Sequence, residues 1–365
     1  MRVLFLTNIP SPYRVAFFNE LGKSCELTVA FEGRFATDRN AAWQAEKLKN
    51  FTPVFLNGLR LGVDKFLSFK VCGLLKQKWD KIVISGYSTP TDILAIEYMR
   101  LKKIPFYLEA DGGIIRPDNK LKFWLKKHFI SAASAYFSSG KETTKYLLHY
   151  GANAKIHEYP FTSLQAKDIL PALPAQEHKR ELRAQLGICE NKVIVSVGRF
   201  SYQKGYGKGY DILMLASEIL PKDIGIYIIG DTPTQEFINW QKSKALEQVH
   251  FVGFQNKESL LKWYKAADVF VLPTRGDVWG LVINESMAQG LPVITTDKCV
   301  AGFELVKEGQ NGYIVPAGNA KALADAVTKI FTQDYRSMGQ KSLEIIGPYT
   351  IENMAQCHKE VFNGK

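Results

Sequence analysis

Two lysines stand in a glycine-rich stretch, SYQKGYGKGYD (201–211), that follows the apolar run KVIVSVG (192–198). The run predicts a strand, and the residues after the stretch predict a helix that Asp211 is placed to cap. Cationic side chains and the amides of a helix N-terminus suit a diphosphate, because both place positive potential where the anion's charge sits. The residues that could bind this anion are Gly198, Arg199, Lys204 and Lys208. The alternative is a flexible glycine loop with solvated lysines.

A second stretch, PTRGDVWGLVINESMAQGLP (273–292), combines a strand end, a glycine turn and the start of a helix. Its acid Asp277 is predicted to lie in the loop and its acid Glu285 in the helix, which would place the two carboxylates at opposite ends of an extended ligand. Carboxylates accept hydrogen bonds from vicinal hydroxyls, which suits one acid to a sugar and the other to a ribose. The amides available to a phosphate at the helix start are those of Gly280, Leu281 and Val282. An ordinary helix turn is disfavoured because a carboxylate among apolar helix residues needs a partner.

Both stretches need a scaffold of alternating strands and helices. Runs such as RVLFLT (2–7) and KIVISG (81–86) alternate with helical patterns in the first half, and the alternation repeats after a polar segment at 171–190. Such alternation implies parallel sheets with helical crossovers. We therefore predict an α/β fold of two Rossmann-like, doubly wound domains that face a central cleft. The predicted parts are residues 1–175, residues 190–345 and a final helix at 346–365 that crosses back to the first domain.

Composition narrows the class of protein. The chain has 365 residues, of which 46% are apolar and 23% charged, as expected for a folded soluble protein of two domains. Its five cysteines are odd in number, scattered and without a C-x-x-C pair, which disfavours a disulfide framework and a zinc site. No apolar run is long enough to span a membrane, and the first apolar run is too short for a signal peptide. We expect a cytoplasmic protein.

The positive charge is concentrated in the first half. Residues 1–174 carry 25 Lys and Arg against 15 Asp and Glu, whereas residues 175–365 carry 22 against 21. The basic, Trp-containing helical patterns at 120–129 and 65–79 suit a membrane interface. Ordinary packing of each helix on the sheet is the alternative. Because no nucleic-acid-binding motif is present, we predict peripheral contact with an anionic membrane and no contact with nucleic acid.

Residues 192–330 resemble the donor half of retaining glycosyltransferases of family 4, which have the GT-B fold of two Rossmann-like domains. The segments that carry the resemblance are VSVGRF…KG, YIIGD, VHFVGF, KAADVFVLPTRGDVWGLVINESMAQGLPVITTD and LVKEGQNGYIV. The first half is similar more loosely, through NIPSPYR, SSGK (138–141) and YPFTS (159–163), to enzymes that build bacterial surface polysaccharides.

The resemblance implies a nucleotide diphosphate sugar as the donor. Arg199 and a loop lysine would hold the diphosphate, and Glu285 would bind the ribose. Asp277 would meet the transferred sugar together with the backbone of Val278, Trp279, Gly280 and Leu281. Gly253 and Phe254 match the region that approaches the base. The family usually has glutamate where this chain has Asp277, so the reach of that carboxylate is shorter.

The doubled Lys-Gly-Tyr leaves two lysines for one role. Lys204 lies at the family's spacing from Arg199, whereas Lys208-Gly209-Tyr210-Asp211 matches its entry to the helix. YGKG is therefore interpreted as a four-residue insertion between two valid halves of one motif. We predict Lys204 as the diphosphate ligand, with Lys208 as an auxiliary or substitute.

The first domain would then hold the acceptor. Its candidate residues follow predicted strands and are Pro12, Tyr13, Arg14, Asp111, Gly112 and Gly113. Arg14 could reach a phosphate, and Asp111 could contact an acceptor hydroxyl while the glycines let the backbone approach. Two alternatives remain: a turn in which Ser11 caps a helix, and a manganese or magnesium site at the acids Glu109 and Asp111.

The residues and the resemblance together predict a retaining hexosyltransferase that needs neither a metal nor another cofactor. It would move sugar from a nucleotide diphosphate sugar to a glycan or lipid-linked acceptor in bacterial surface polysaccharide synthesis, at the inner face of the cytoplasmic membrane. A nucleotide-sugar epimerase or hydrolase of the same fold would consume donor without an acceptor. A non-catalytic nucleotide-sugar-binding subunit is the other alternative.

Overall fold

The computed structural model describes residues 1–35, 47–200 and 202–364, so Ser201 at the start of the lysine-bearing stretch lies outside the described residues. The strands are β1 (Arg2–Thr7), β2 (Glu26–Phe31), β3 (Thr52–Phe55), β4 (Leu59–Arg60), β5 (Phe66–Leu67), β6 (Lys81–Ile84), β7 (Tyr107–Ala110), β8 (Ala135–Ser138), β9 (Ile156–Glu158), β10 (Lys192–Val197), β11 (Ile224–Ile229), β12 (Val249–Val252), β13 (Val269–Leu272), β14 (Val293–Thr296) and β15 (Gly312–Val315). The helices are α1 (Pro12–Leu21), α2 (Lys70–Leu75), α3 (Pro90–Lys102), α4 (Lys120–Ile130), α5 (Lys141–His149), α6 (Gln176–Leu186), α7 (Tyr210–Ile219), α8 (Gln235–Ser243), α9 (Lys257–Ala266), α10 (Leu281–Met287), α11 (Val300–Leu305), α12 (Ala320–Phe331), α13 (Tyr335–Ile346) and α14 (Ile351–Phe362).

The chain divides into two compact units. Unit 1 comprises residues 1–165 and 349–365, and unit 2 comprises residues 166–348. Helix α14 therefore belongs to unit 1, where it packs against α1. Its start is fixed by Thr350, whose hydroxyl accepts a hydrogen bond from the amide of Asn353 at 3.2 Å. Such a cap satisfies one of the amides that a helix start leaves unpaired.

Unit 1 is built on a parallel sheet. In the described part of the chain its strand order is β3-β2-β1-β6-β7-β8-β9. The central strand β1 has both faces covered, and the run from Val3 to Leu6 is almost fully buried. Strands buried on both faces read as continuous apolar runs, which is why RVLFLT predicted a strand without alternating polarity. The parallel α/β expectation is confirmed for this unit.

Unit 2 repeats the plan with a second parallel sheet, whose described strands run in the order β12-β11-β10-β13-β14-β15. Strand β10 pairs with β11 on one side and β13 on the other, so the chain reverses its winding direction at β10. Ligands of open α/β sheets bind at the carboxyl ends of the strands beside such a reversal. The loops after β10 and β13, which carry both lysines and Asp277, leave the sheet at that edge.

No helix of the described residues combines the length and the apolar character that crossing a bilayer requires.

A buried pair of acids lies at the carboxyl end of β2. The Glu32 and Asp92 side chains are inaccessible or nearly so, and Thr89 donates its hydroxyl to Glu32 Oε1 at 2.5 Å. Thr89 also caps α3 by accepting a hydrogen bond from the Asp92 amide at 3.0 Å. Burial and the Asp92 charge raise the pKa of Glu32 to about 9, and burial raises the pKa of Asp92 to about 6. At neutral pH Glu32 is therefore the protonated member of the pair.

This pair makes unit 1 less stable in alkaline solution. A carboxyl whose pKa is higher in the folded chain binds more protons there, so its stabilisation is complete below about pH 4.5 and lost as pH rises toward 9. Glu32→Gln keeps a hydrogen-bond donor toward Asp92 without a charge, and we expect it to flatten the fall in the free energy of unfolding between these limits. Urea unfolding at a series of pH values measures this. The exposed Glu26→Gln is the matched control and should retain the wild-type slope; an equal slope in Glu32→Gln would contradict the raised pKa of Glu32.

Candidate functional site

The loops that follow β10 and β13 are tied together by a bidentate ion pair. Arg275 donates from both terminal nitrogens to the two carboxylate oxygens of Asp211, at 2.6 Å each. The Arg275 amide and the Thr274 hydroxyl both donate to the Gly207 carbonyl at 3.1 Å. Asp211 was expected to cap α7, but the cap position is Gly209 and the Asp211 carboxylate binds Arg275 instead. The glycine-rich loop is therefore a fixed structure.

Within this fixed loop, Lys208 reaches Asp277. Their Nζ and Oδ2 atoms are 2.5 Å apart, and the side chains are only 15% and 20% exposed. An ion pair that is partly withdrawn from water is stronger than one on the surface. The structure thus brings together the second lysine and the first acid of the sequence-predicted site.

Lys204 is placed differently. It is exposed and sits in a left-handed turn with φ of 54°, between Gln203 and Gly205, which also have positive φ. The turn belongs to a 3₁₀ segment, Tyr202–Lys208, that bulges out before α7 begins. Left-handed backbone is costly for residues with a Cβ, so the surrounding contacts must impose this conformation. Lys204 therefore lies on the surface, whereas Lys208 lies just before the start of α7.

Gly198 packs closely against the side chains of Tyr210 and Lys208. A Cβ on Gly198 would lie 2.8 Å from the Tyr210 hydroxyl and 3.2 Å from Cγ of Lys208. Arg199, the next residue, is half-buried at the same strand end. The Phe200 amide donates to Asp231, which follows β11. These contacts fix the strand end from which Arg199 and the lysine loop depart.

Hydrogen bonds with Lys298 and Cys299 hold the Asp277 loop in place. The Asp277 amide donates to the Lys298 carbonyl at 2.9 Å, and the Cys299 thiol donates to the Trp279 carbonyl at 3.0 Å. Gly280 has φ of 102°, and a Cβ there would lie 2.7 Å from Cys299 Sγ, so only glycine fits. Burial, reinforced by the Asp277 carboxylate, raises the pKa of the Cys299 thiol to about 12. Cys299 is therefore a neutral packing and hydrogen-bonding group.

Glu285 lies on α10 and faces α9. It is half-buried and accepts a hydrogen bond from the Tyr264 hydroxyl at 3.4 Å. Burial, followed by the Glu285 carboxylate, raises the pKa of Tyr264 well above its ordinary value, so the phenol remains a donor. The partner that the sequence required for this carboxylate is therefore Tyr264, which no motif indicated. Leu281 and Val282 precede Glu285 in the same short helix, with Gly280 at its cap position.

Three further predicted residues lie at the open carboxyl edge of unit 2. Gly253 and Phe254 follow β12, and Phe254 is 40% exposed although it is aromatic. Val278, beside Asp277, is 64% exposed, whereas its neighbour Trp279 is buried and donates to Asn284 at 2.8 Å. Exposed apolar side chains beside a polar cluster are typical of ligand sites. The roles predicted for these residues stay predictions.

In unit 1 the predicted residues form a buried ion-pair cluster. Arg14 lies 2.8 Å from Glu109 Oε2 and 2.5 Å from Asp111 Oδ1, and its side chain is almost completely buried. Although burial opposes ionisation, the Arg14 guanidinium and the His358 imidazole lower the pKa of Glu109 to about 2. Arg14 thus pairs with two carboxylates, and the phosphate contact predicted for it stays a prediction. Glu109 and Asp111 both pair with Arg14.

The other residues of the first-domain prediction surround this cluster. Pro12 is the first residue of α1, and Ser11 stands at the cap position without a side-chain capping bond. Tyr13 packs edge-on against Phe161, with ring centroids 5.8 Å apart. Gly113 lies against the Tyr146 ring, where a Cβ would approach within 2.6 Å, so the glycine serves close packing. Gly112 is partly exposed beside Asp111.

Metal-ligating side chains do not cluster in the part of the chain that the structure describes: no group of three His, Cys, Asp or Glu residues is placed to hold an ion. The cysteines there are unpaired, as the scattered spacing predicted.

Sequence comparison identifies relatives of this chain and a family match within unit 2. Residues 191–333 match the family model described as glycosyl transferases group 1. An uncharacterized glycosyltransferase of Methanocaldococcus jannaschii is 31% identical over 188 residues, which cover 49% of this chain and 47% of that protein. The lipopolysaccharide core biosynthesis mannosyltransferase LpsB of Rhizobium meliloti is 29% identical, with 55% of this chain and 56% of LpsB covered. The chain thus spans about half the length of the curated relatives it matches.

Structural comparison extends over both units. Anabaena HepE, solved in complex with UDP, is 18% identical and covers 100% of both chains with a TM-score of 0.77. HepE has also been solved with UDP-glucose, and that structure gives a TM-score of 0.73. At this identity the likeness establishes the fold alone, and that fold is GT-B. Residues 191–333 are therefore similar to group 1 glycosyl transferases, and the chain that carries them has the GT-B fold predicted from its sequence.

Proposed function

We propose that this protein is a retaining glycosyltransferase that moves a hexosyl group from a nucleotide diphosphate sugar to a glycan or lipid-linked acceptor in bacterial surface polysaccharide synthesis, without a metal ion. The observation that carries the proposal is the Lys208–Asp277 pair, held at 2.5 Å at the carboxyl edge of the second sheet. Arg199, Phe254 and Val278 lie at the ends of strands along the same edge. The relatives named as glycosyltransferases and the HepE complexes with UDP and UDP-glucose support it.

The diphosphate is the leaving group, and its charge grows as the bond to the sugar breaks. Lys208 supplies a point charge and Arg199 a planar fork of N–H donors, two complementary ways of binding phosphate oxygens. Fixed positive groups stabilise the developing charge without reorganising during the reaction. The bidentate Arg275–Asp211 pair holds the Lys208 loop in place before any ligand binds. We therefore assign the principal phosphate contact to Lys208, in preference to Lys204.

Asp277 and Glu285 would recognise hydroxyl groups at the two ends of the donor. Glu285 accepts a hydrogen bond from Tyr264 at 3.4 Å, and a carboxylate of this kind accepts hydrogen bonds from the vicinal hydroxyls of a ribose. Asp277 is one methylene shorter than glutamate, and one of its oxygens already binds Lys208. Its other oxygen remains for the transferred sugar. The shorter side chain therefore couples sugar recognition to the position of the lysine.

Transfer with retention needs no nucleophile from the protein. The bond between C1 of the sugar and the phosphate oxygen breaks, and its electron pair leaves with the diphosphate. The acceptor oxygen forms a new bond to C1 on the same face, and its proton passes to the departing phosphate oxygen. Lys208 and Arg199 assist by holding the phosphate where it can accept that proton.

The lysine assignment predicts unequal effects of two alanine substitutions. Lys208→Ala should weaken the binding of nucleoside diphosphate by about tenfold, because it removes a fixed charge at the phosphate. Lys204→Ala should change binding by no more than about twofold, because this side chain is exposed to solvent. Calorimetry with whichever of UDP, GDP or ADP most stabilises the wild type measures both. The reverse order of effects would return the role to Lys204.

Transfer itself is tested by a thermal-shift screen of nucleotide sugars, followed by incubation of the best donor with bacterial membrane extract. We expect a glycosylated product that keeps the anomeric configuration of the donor, read by proton NMR, and a rate unchanged by EDTA. Consumption of the donor without any glycosylated product would instead indicate the epimerase or hydrolase. Stabilisation without consumption would indicate a binding subunit. An inverted anomer or loss of activity in EDTA would contradict the mechanism.

Contact with a membrane is supported by the surface of α4. Its apolar residues Leu121, Trp124 and Leu125 are exposed, Trp124 at 56%, whereas Phe123, Phe129 and Ile130 of the same helix pack on the core. Lys120 and Lys127 are exposed on the same helix. An amphipathic helix with an exposed Trp and neighbouring lysines suits the interface of an anionic bilayer. This contact would place the protein at the inner face of the cytoplasmic membrane, near a lipid-linked acceptor.

Flotation with lipid vesicles tests the contact. The wild type should float with vesicles that contain phosphatidylglycerol and much less with phosphatidylcholine alone. Trp124→Ser together with Leu121→Ser should abolish most of the difference, since both side chains are exposed and their loss removes apolar area from the interface. Leu148→Ser, an exposed apolar position on α5, is the matched control and should float like the wild type. Equal recovery with the two kinds of vesicle would remove the membrane proposal.

A further inference from the structure

A continuous polar chain in unit 1 joins the last helix to the carboxyl end of β7. His358 of α14 places Nε2 3.2 Å from Glu109 Oε1, and Glu109 Oε2 lies 2.8 Å from Arg14. Arg14 then binds Asp111 Oδ1 at 2.5 Å. His358 and Glu109 are fully buried and Arg14 nearly so, whereas Asp111 is 28% exposed. The chain therefore runs from the interior of the unit to one carboxylate that solvent, or a ligand, can reach.

Aromatic contacts and polar contacts of both ring nitrogens hold the His358 side chain in one orientation. Its ring stacks on Phe137 with centroids 4.1 Å apart and meets Phe17 edge-on at 4.9 Å. Its Nδ1 lies 2.8 Å from the Met354 carbonyl, which can only accept a hydrogen bond. Glu109, ionised under almost all conditions, can also only accept, so Nε2 must donate to it. A purely apolar residue would fill the same space without holding Glu109.

Two additional bonds orient the carboxylates. Ser85, at the end of β6, donates its hydroxyl to Glu109 Oε2 at 2.7 Å. The Tyr159 hydroxyl donates to Asp111 Oδ1 at 3.2 Å, so this oxygen receives bonds from both Arg14 and Tyr159. Asp111 Oδ2 accepts no hydrogen bond from the residues that the structure describes. One oxygen of Asp111 is thus fixed by the protein, and the other is left for a ligand.

We propose that Asp111 Oδ2 binds the acceptor hydroxyl in the proposed glycosyl transfer, and that His358, through Glu109 and Arg14, is the positioning residue that fixes this carboxylate. The proposal rests on the proposed function, because it names the acceptor contact of that reaction. Its chemical requirement is an acceptor that offers a hydroxyl, as a glycan or a lipid-linked sugar does. Asp111 alone touches the substrate, and the other three side chains act through it.

Loss of the His358 donor acts on Asp111 through charge. Glu109 Oε1 would be left buried without a partner, which is costly for a carboxylate. Arg14 is the cation within reach of Glu109. If the Arg14 guanidinium shifts towards Glu109, the bond between Arg14 and Asp111 becomes weaker. A misplacement of a substrate-binding group by about 1 Å is enough to reduce turnover strongly. The effect therefore appears in acceptor use and not in donor affinity.

Four variants of the full chain test this, with donor and acceptor taken from the transfer assay. His358→Leu should raise the acceptor KM by about tenfold or lower kcat by a similar factor, while nucleoside diphosphate affinity in unit 2 stays unchanged. His358→Gln, whose amide can still donate to Glu109, should recover part of the loss. Ser85→Ala should give a smaller defect in the same parameter. Phe362→Leu, which removes buried aromatic packing from the same helix, is the control and should lower thermal stability without changing acceptor KM.

Each outcome decides the question. Wild-type acceptor kinetics in His358→Leu, or the same defect in Phe362→Leu, would overturn the positioning role. If His358→Leu does not fold, His358→Gln and Ser85→Ala still decide it, because wild-type acceptor kinetics in both would contradict the chain. The imidazole nitrogen-15 shifts of His358 give a readout that needs no substrate: we expect a protonated Nε2, and an unprotonated one would overturn its bond to Glu109. Absence of any transfer by the wild type would instead contradict the proposed function.

Discussion

The ion pair between Arg275 and Asp211 is the constraint on which the site of unit 2 depends. It joins two loops that leave neighbouring strands, β10 and β13, and so sets where each loop ends. Lys208 meets Asp277 because the first loop is held against the second, partly through the Gly207 carbonyl. A glycine-rich segment has many accessible conformations, and without such a clamp much of the binding energy of an anion would be lost in ordering it. Because the Arg275–Asp211 ion pair orders the loop when the protein folds, the conformational entropy of the loop is not lost again when an anion binds.

Much of this architecture is readable in the sequence, because the strong signals there are local. Apolar runs bounded by glycine or polar residues predicted the buried strands, and the alternation with helices predicted parallel sheets. The structure shows close approaches at Gly198 and Gly280, one against Lys208 and the other against Cys299, where the sequence had indicated only glycine turns. The final helix predicted at 346–365 is found as α14 (Ile351–Phe362), with Thr350 as its cap. In each case a few neighbouring residues determine the local geometry.

Pairings between distant residues could not be predicted in the same way. Lys208 and Asp277 are 69 positions apart, and Lys204 was the better match to the family spacing. Whether the four-residue insertion displaces the first or the second lysine depends on which carbonyls Arg275 binds, and no local pattern encodes that choice. Likewise no local pattern indicated that Arg14 pairs with Glu109 and Asp111. His358 carried no signal, because its partner lies 249 residues away.

The contribution of α14 to unit 1 has a consequence for the order in which the molecule is made. Residues 351–362 leave the ribosome only after all of unit 2, so the first sheet must wait through the synthesis of a whole second unit for its last buried partner. Until then Glu109 faces Arg14 and Ser85 alone, and the apolar groove between Phe17 and Phe137 is exposed. Domains usually fold in the order of their synthesis, and exposed apolar surface on a waiting one invites misassembly. The time that the ribosome takes to synthesise unit 2 is therefore the minimum delay before α14 can complete unit 1.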